Sequence, residues 1–394
     1  MPTPQLILSA LARVVVVVGT ILLSADSASL AQEPVVRRLP TNLAEALLQL
    51  QTIDNGPTRQ KPIKPVEFIG EQPKDSLLQL EACRSAAEYS AKMDGRAMLV
   101  IVDDQPLFAR YEPSWPRWKS HRLGQASGCI AGIVAACAVQ DGLMTFDEPV
   151  SNTITEWADG TKRADVTIRQ LLTMTSGIEP GDVSYVASYK EAIAAKLQSD
   201  PGTSFAFGTN ALQVFGALLS RKVSPEKGDD NISAYTNYLE KRVFRPLDIE
   251  LGFWSKTTAN EPNVATGAFL SATDFAKLGA LLCGEGTWGD KQIVEKETLL
   301  EILEGTDAHP GYGMGFWLAS KRADVEVAPE TRMVMPSFGR TNIDGMYIAT
   351  GDGRQRLYVL PREKTVVVRL GDPRINIFRD ETFFRHLLPA KNGQ

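Results

Sequence analysis

The stretch Cys129-Ile-Ala-Gly-Ile-Val-Ala-Ala-Cys-Ala-Val139 carries no charge on any face. A helix that is apolar all round is a buried one, so these residues predict a central helix over Ser127 to Gln140, stopped by Asp141-Gly142. The start of such a helix is a natural place for chemistry at the mouth of a cleft. Everything else in the chain is read relative to it.

Outward from this helix the text changes to strands at both ends. Ala97-Met-Leu-Val-Ile-Val102, a turn at Asp103-Asp-Gln-Pro106 and Leu107-Phe-Ala-Arg-Tyr111 read as a β-hairpin, and Gln355 to Leu360 with Thr365 to Leu370 read as a second. A helix-like stretch from Arg374 to Leu388 follows. Between the hairpins the pattern is mainly helical, with periodic runs at Val166–Met174, Asn210–Lys222 and Ala272–Cys283. Strands split by a helical insertion predict an α+β fold in which an antiparallel sheet is flanked by helices, with a cleft between sheet and insertion.

The chain has 394 residues, and 42 Lys+Arg against 47 Asp+Glu leave a net charge of −5. No broad basic surface is available for phosphate backbones, so nucleic acid is not an expected partner. No repeat or low-complexity tract interrupts the apolar pattern, which argues against a solenoid or a mainly disordered chain. Residues 1–31 read as a secretory leader: Arg13, the apolar run Val14–Leu23, then small residues at Ser29 and Ala31. That core is far shorter than the roughly 20 residues a membrane span needs. The expectation is an exported chain, periplasmic or secreted, with no membrane anchor after cleavage. Residues 32–75 read as a linker or N-terminal extension and 76–390 as the main domain, with its α/β part at about 76–145 and 290–390 and its helical part at about 146–289.

Four cysteines follow the leader. Cys129 and Cys137 on one helix would lie about 12 Å apart, beyond disulfide reach, whereas a bridge between Cys83 and Cys283 stays open. The spacing fits no zinc pattern.

Six segments, in this order, then carry a resemblance: Ala138-Val-Gln-Asp-Gly-Leu-Met-Thr-Phe-Asp-Glu-Pro-Val150; Val166-Thr-Ile-Arg-Gln-Leu-Leu-Thr-Met-Thr-Ser-Gly177; Pro201-Gly-Thr-Ser-Phe-Ala-Phe207; Gly267-Ala-Phe-Leu-Ser-Ala-Thr-Asp274; Tyr312-Gly-Met-Gly-Phe-Trp317; and Gln355-Arg-Leu-Tyr-Val-Leu-Pro361. Together they resemble the serine β-lactamase and penicillin-binding protein superfamily, in its branch of class C β-lactamase-like esterases and 6-aminohexanoate-dimer hydrolase-like amidases. The likeness covers roughly residues 95–375 and implies the β-lactamase-like fold.

In that family the central helix opens with S-x-x-K, whose Ser attacks a carbonyl while the Lys one turn on relays the proton. Counting back from Ala138-Val-Gln-Asp-Gly142, the Ser position falls on Gln125 and the Lys position on Gly128. A later Tyr that helps move the proton corresponds to Phe207. The G-x-G form of the third motif corresponds to Gly351-Asp352-Gly353, on a strand whose backbone N–H joins the family's oxyanion hole. Ser127, Gly351, Asp352 and Gly353 are therefore expected around a cleft from which all three catalytic groups are gone.

Rescue readings fare poorly. Ser127 has Ile130 at i+3 and Cys129 has Gly132, so neither recovers a base on its own helix face. Ser224-Pro-Glu-Lys227 has the S-x-x-K spacing but sits in a polar loop. His121, His309 and His386 are scattered and make no metal site, and Trp115, Trp118 and Trp317 fit packing better than a cleft lining. The resemblance implies no cofactor and no metal, because the family's chemistry uses side chains alone. Three readings stay open: a pseudoenzyme that keeps a cleft for a small amide, ester or peptide-like ligand, an active amidase or esterase with a non-standard nucleophile, and a structural or partner-binding module. The sequence names no protein partner.

Overall fold

The computed structural model describes residues 34–52, 64–74, 76–113, 115–224, 233–319, 335–336, 345–372 and 377–388. The leader expected at 1–31 and most of the Ser224–Lys227 loop lie outside them. The strands are β1 (Val35–Arg38), β2 (Val66–Ile69), β3 (Gly95–Val102), β4 (Gln105–Tyr111), β5 (His121–Arg122), β6 (Phe253–Trp254) and β7 (Ala268–Leu270). They continue with β8 (Thr287–Trp288), β9 (Lys291–Gln292), β10 (Trp317–Leu318), β11 (Tyr347–Gly351), β12 (Gln355–Leu360) and β13 (Thr365–Gly371). The helices are α1 (Leu43–Thr52), α2 (Leu80–Lys92), α3 (Gly128–Gln140), α4 (Ile168–Leu172), α5 (Tyr189–Ile193), α6 (Asn210–Val223), α7 (Ala234–Leu239), α8 (Ala272–Cys283), α9 (Lys296–Glu301) and α10 (Asp380–Leu387).

One sheet runs in the order β1-β2-β4-β3-β13-β12-β11-β10. All its pairings are antiparallel except β1 with β2. At its centre β3 and β13 are buried along almost their whole length. A strand covered on both faces needs apolar side chains on both, which is why these two read as continuous apolar runs. The two faces separate by alternation. Arg356, Tyr358 and Arg369 point to α2 and α10, where Arg356 and Tyr358 meet Asp380 and Arg369 meets Ser90. Leu357 and Val366 point the other way, to α8, where a Cβ on Gly279 would come within 2.9 Å and 2.7 Å of them.

The expected hairpins and helices are present, and the α+β class holds: an antiparallel sheet between helical layers. Residues 32–75, read as a linker or N-terminal extension, contribute β1, α1 and β2, and their described part adds an edge to the sheet. Four-residue strands between proline-containing loops carry too little periodicity to be read in advance. The stretch assigned to the helical part, 146–289, ends in α8, which packs on the sheet itself. Helix α3 is buried from Gly128 to Ala138, as an uncharged sequence requires. Among the described residues no helix is long and apolar enough to cross a membrane.

Candidate functional site

Strand β11 delivers its last residue, Gly351, against the single 3-10 turn Gly124–Ser127 that leads into α3. The approach is close. A Cβ on Gly351 would lie 1.8 Å from the Leu123 carbonyl oxygen, so only glycine allows this contact. Beyond Gly351 the backbone turns through Asp352, Gly353 and Arg354, with Gly353 and Arg354 in the left-handed region at φ 66° and 58°.

Three interactions fix that turn. Buried Arg369 donates from Nη1 to the carbonyls of Gly353 at 2.7 Å and Arg354 at 3.0 Å, and from Nη2 to that of Met93 at 2.7 Å. Burial lowers its pKa to about 10. The Gln355 side chain donates to the Gly371 carbonyl and accepts the Gly371 N–H, both at 2.8 Å. Arg122 on β5 pairs with the Asp352 carboxylate at 3.3 Å.

The turn presents the Asp352 N–H to the start of α3, and there it donates to Oε1 of Gln125 at 3.1 Å. Gln125 occupies the position at which the resemblance expects a nucleophile. An amide cannot attack a carbonyl, and its own oxygen already holds an N–H at the end of the strand from which an oxyanion donor is expected. Three residues on, Gly128 offers no side chain. A Cβ there would find Leu212 Cδ1 at 3.4 Å and the Gly315 Cα at 3.9 Å, ordinary contact distances.

Phe207 belongs to an aromatic cluster. Its ring stacks on Trp317 at 5.9 Å and meets Tyr312 edge-on at 5.8 Å, while Phe205 lies 4.1 Å from His309 and 5.4 Å from Tyr312. Trp317 is tied to β11 by a hydrogen bond from its Nε1 to Thr350 Oγ1 at 3.1 Å. The cluster and Gln125 thus both attach to the end of β11, through Thr350 and Asp352.

Residues 79–372 match the family model described as Beta-lactamase. The chain belongs to the Beta-lactamase family.

A β-lactamase from Yersinia enterocolitica is 24% identical to this family member over 209 residues, 50% of the chain and 51% of the relative. The chain therefore spans about half the length of that curated relative. Among solved structures, a β-lactamase/D-alanine carboxypeptidase from Pseudomonas syringae superposes with a TM-score of 0.58 at 13% identity, covering 79% of this chain and 98% of that one. A class C β-lactamase from Rhodobacter sphaeroides gives 0.54 at 17% identity, over 77% and 97%. A penicillin-binding protein homologue from Caulobacter crescentus gives 0.58 at 13% identity, over 78% and 96%. These superpositions establish the β-lactamase-like fold.

Within this Beta-lactamase family chain, the residues expected around the cleft divide. Asp352 reaches the surface, with 28% of its side chain exposed. Ser127 does not: it is fully buried, and its Oγ accepts the Ala268 N–H at 3.1 Å. Its assignment to the cleft is corrected on that ground. Gly351 and Gly353 are also buried and act through backbone shape.

The four thiols are free, Cys83 and Cys283 included. Burial pushes Cys83, Cys137 and Cys283 up to about 12, and Cys129 higher still. His121 is buried against Trp115 at 4.2 Å, and His386 stacks on Tyr89 at 5.3 Å and meets Ser85 Oγ at 2.9 Å. His309 is buried with neither ring nitrogen hydrogen-bonded among the described residues, and burial keeps its pKa below the usual histidine range. Trp317 is buried in the aromatic cluster, Trp115 is half-buried and Trp118 is exposed.

Sequence reasoning missed Arg122, Thr350 and Arg369. Their roles rest on partners distant in sequence, so no local spacing signals them.

Proposed function

We propose that this chain is an exported pseudoenzyme of the Beta-lactamase family, keeping a ligand-binding cleft at the β11 end without turnover. The observation that carries the reading is Gln125: at the position of the family nucleophile stands an amide whose oxygen accepts the Asp352 N–H. Gly128 and Phe207, at the positions of the family's Lys and Tyr, supply neither a base nor a hydroxyl. Groups that act as a unit fail together: one loss can cost about 10⁶ in kcat. Three losses leave no route to an acyl-enzyme.

The two local substitutes gain no support. Ser127 is buried and already hydrogen-bonded, and Cys129 is buried with its thiol pushed far from ionisation. The clamps on the β11 turn, Arg369 and Gln355, support a maintained binding surface, since buried cations and amides are costly to keep unless they hold something in place. Export rests on the leader read at residues 1–31.

The test is covalent labelling. Incubation with a fluorophosphonate or a labelled penicillin, followed by intact-mass spectrometry, should give no adduct. An adduct on any residue of 124–129 would overturn the pseudoenzyme reading. Cell fractionation with N-terminal sequencing of the product checks export: a product found in the cytoplasm with residues 1–31 still attached would refute it.

A further inference from the structure

Gln125 is only 8% exposed, yet its amide is half used. Oε1 is committed to the Asp352 N–H, which fixes which way the amide faces. The Nε2 group has no partner among the described residues, and it is not among the buried polar atoms cut off from solvent. The residue is otherwise packed, so this N–H2 is held in one orientation toward accessible space, and a ligand's acceptor can take the place of water on it. Thr350, two residues before Asp352, anchors Trp317, and Trp317 carries the stacked ring of Phe207. Phe205 and Phe207 are only partly buried, so each keeps some ring surface accessible. The charges nearby, Arg122 and Asp352, neutralise one another at 3.3 Å.

We infer that Gln125 is the recognition residue of the cleft: its Nε2 reads the carbonyl of a small neutral amide whose aryl or alkyl body packs on Phe205 and Phe207. The inference rests on the pseudoenzyme reading, and it relocates acceptor recognition. The Asp352 N–H is closed by Gln125 itself, so the donor offered to the ligand is the side-chain amide and not the strand backbone. The ligand stays intact, because nothing beside its carbonyl can attack it.

The probe is phenylacetamide, titrated by NMR into the full folded chain, with 2-phenylethylammonium as the matched compound that has a donor in place of the carbonyl. Wild-type protein should bind the amide at least about tenfold more tightly than the ammonium, in line with the cost of leaving a buried polar group unpaired. Gln125→Met, which keeps the length and removes the donor, should lower amide affinity about tenfold, and Phe207→Ala should also weaken it. In wild-type protein the side-chain N–H2 resonance that Gln125→Met lacks should shift on titration, a readout that does not depend on any variant's affinity. No binding of phenylacetamide, binding indifferent to Gln125→Met, or an unmoved Gln125 resonance would each overturn the inference. An acyl adduct in the mass experiment would instead overturn the pseudoenzyme reading, so the two failures are distinct.

Discussion

The Arg369 guanidinium reaches across from β13 to the Gly353 carbonyl at 2.7 Å, so a buried cation sets the shape of the turn that presents the Asp352 N–H. The same side chain holds the Arg354 and Met93 carbonyls and lies 4.4 Å from the Phe378 ring. Its removal would strand several buried acceptors at once. Hydrogen bonds to charged groups are worth about 1.5–3 kcal/mol each, so Arg369→Met should cost at least about 3 kcal/mol in urea unfolding. Arg369→Lys should recover little, because one ammonium cannot span three carbonyls. A cost below about 1 kcal/mol for Arg369→Met would refute the clamp.

The thiols offer a check on burial. With Cys83, Cys137 and Cys283 pushed up to about 12 by burial and Cys129 beyond that, almost no thiolate exists at neutral pH. Native protein should react with a disulfide reagent only over hours, Cys283 first because it alone is partly exposed. Denaturant should release all four at once. Rapid native labelling of Cys129 would mean that the start of α3 is open to solvent and would reopen the question of a nucleophile there.

How much of this was legible in the sequence depends on the range of each interaction. Helix α8 could be read to the residue because its signals are local: Ser271 caps the Asp274 N–H at 3.1 Å and the apolar period follows. Helix α3 was legible for the opposite reason, a lack of any polar face. The positions that the resemblance assigns to Ser and Lys could be counted back from Asp141-Gly142 because helix spacing is fixed. The partners of the side chains that stand nearby could not. The burial of Ser127 depends on the Ala268 N–H, and the engagement of Gln125 depends on Asp352, each contributed by a strand far along the chain. Strands β1 and β2 escaped notice because edge strands of four residues are defined by their neighbours.

The buried imidazole of His121 makes stability pH-dependent. Burial, reinforced by the cations Lys119, Arg369 and Arg96, lowers its pKa from 6.5 to about 3. The unfolded chain takes up a proton near pH 6.5 that the folded chain refuses until about pH 3. Its contribution is therefore complete above 6.5 and is lost as the pH falls through that window. The slope approaches about 1.4 kcal/mol per pH unit. His121→Phe preserves the ring contact with Trp115 and should flatten the decline between about pH 6.5 and pH 5, a range above most carboxylate titration. His309, also lowered by burial, adds a loss of the same sign in both proteins. Equal slopes for wild type and His121→Phe would exclude His121 as the source.

Under the pseudoenzyme reading, three substitutions should rebuild a catalytic unit. Gln125→Ser does two things at once: it supplies a hydroxyl, and it withdraws the amide oxygen from the Asp352 N–H, freeing that donor for an oxyanion. Gly128→Lys places an amine on the same helix face. Its Cβ would meet Leu212 Cδ1 at 3.4 Å, so the first carbon fits and Leu212 must give way to the rest of the chain. Phe207→Tyr adds the hydroxyl to a ring already positioned by Trp317 and Tyr312. Each single change should leave the protein inactive, because a hydroxyl without its base, or a base without its hydroxyl, forms no acyl-enzyme. The triple variant should hydrolyse p-nitrophenyl acetate weakly but above the parent, with an acetylated mass detectable early in the reaction. Asp352→Ala added to it should raise the rate by removing a carboxylate beside the developing negative charge, more at low salt than at high. Thermal melting of every variant comes first, since a lysine packed against Leu212 threatens the fold. A folded triple variant with neither acetylated protein nor a rate above the parent would show that Gln125 and Gly128 do not stand at the catalytic positions, or that the Asp352 N–H does not serve as an oxyanion donor.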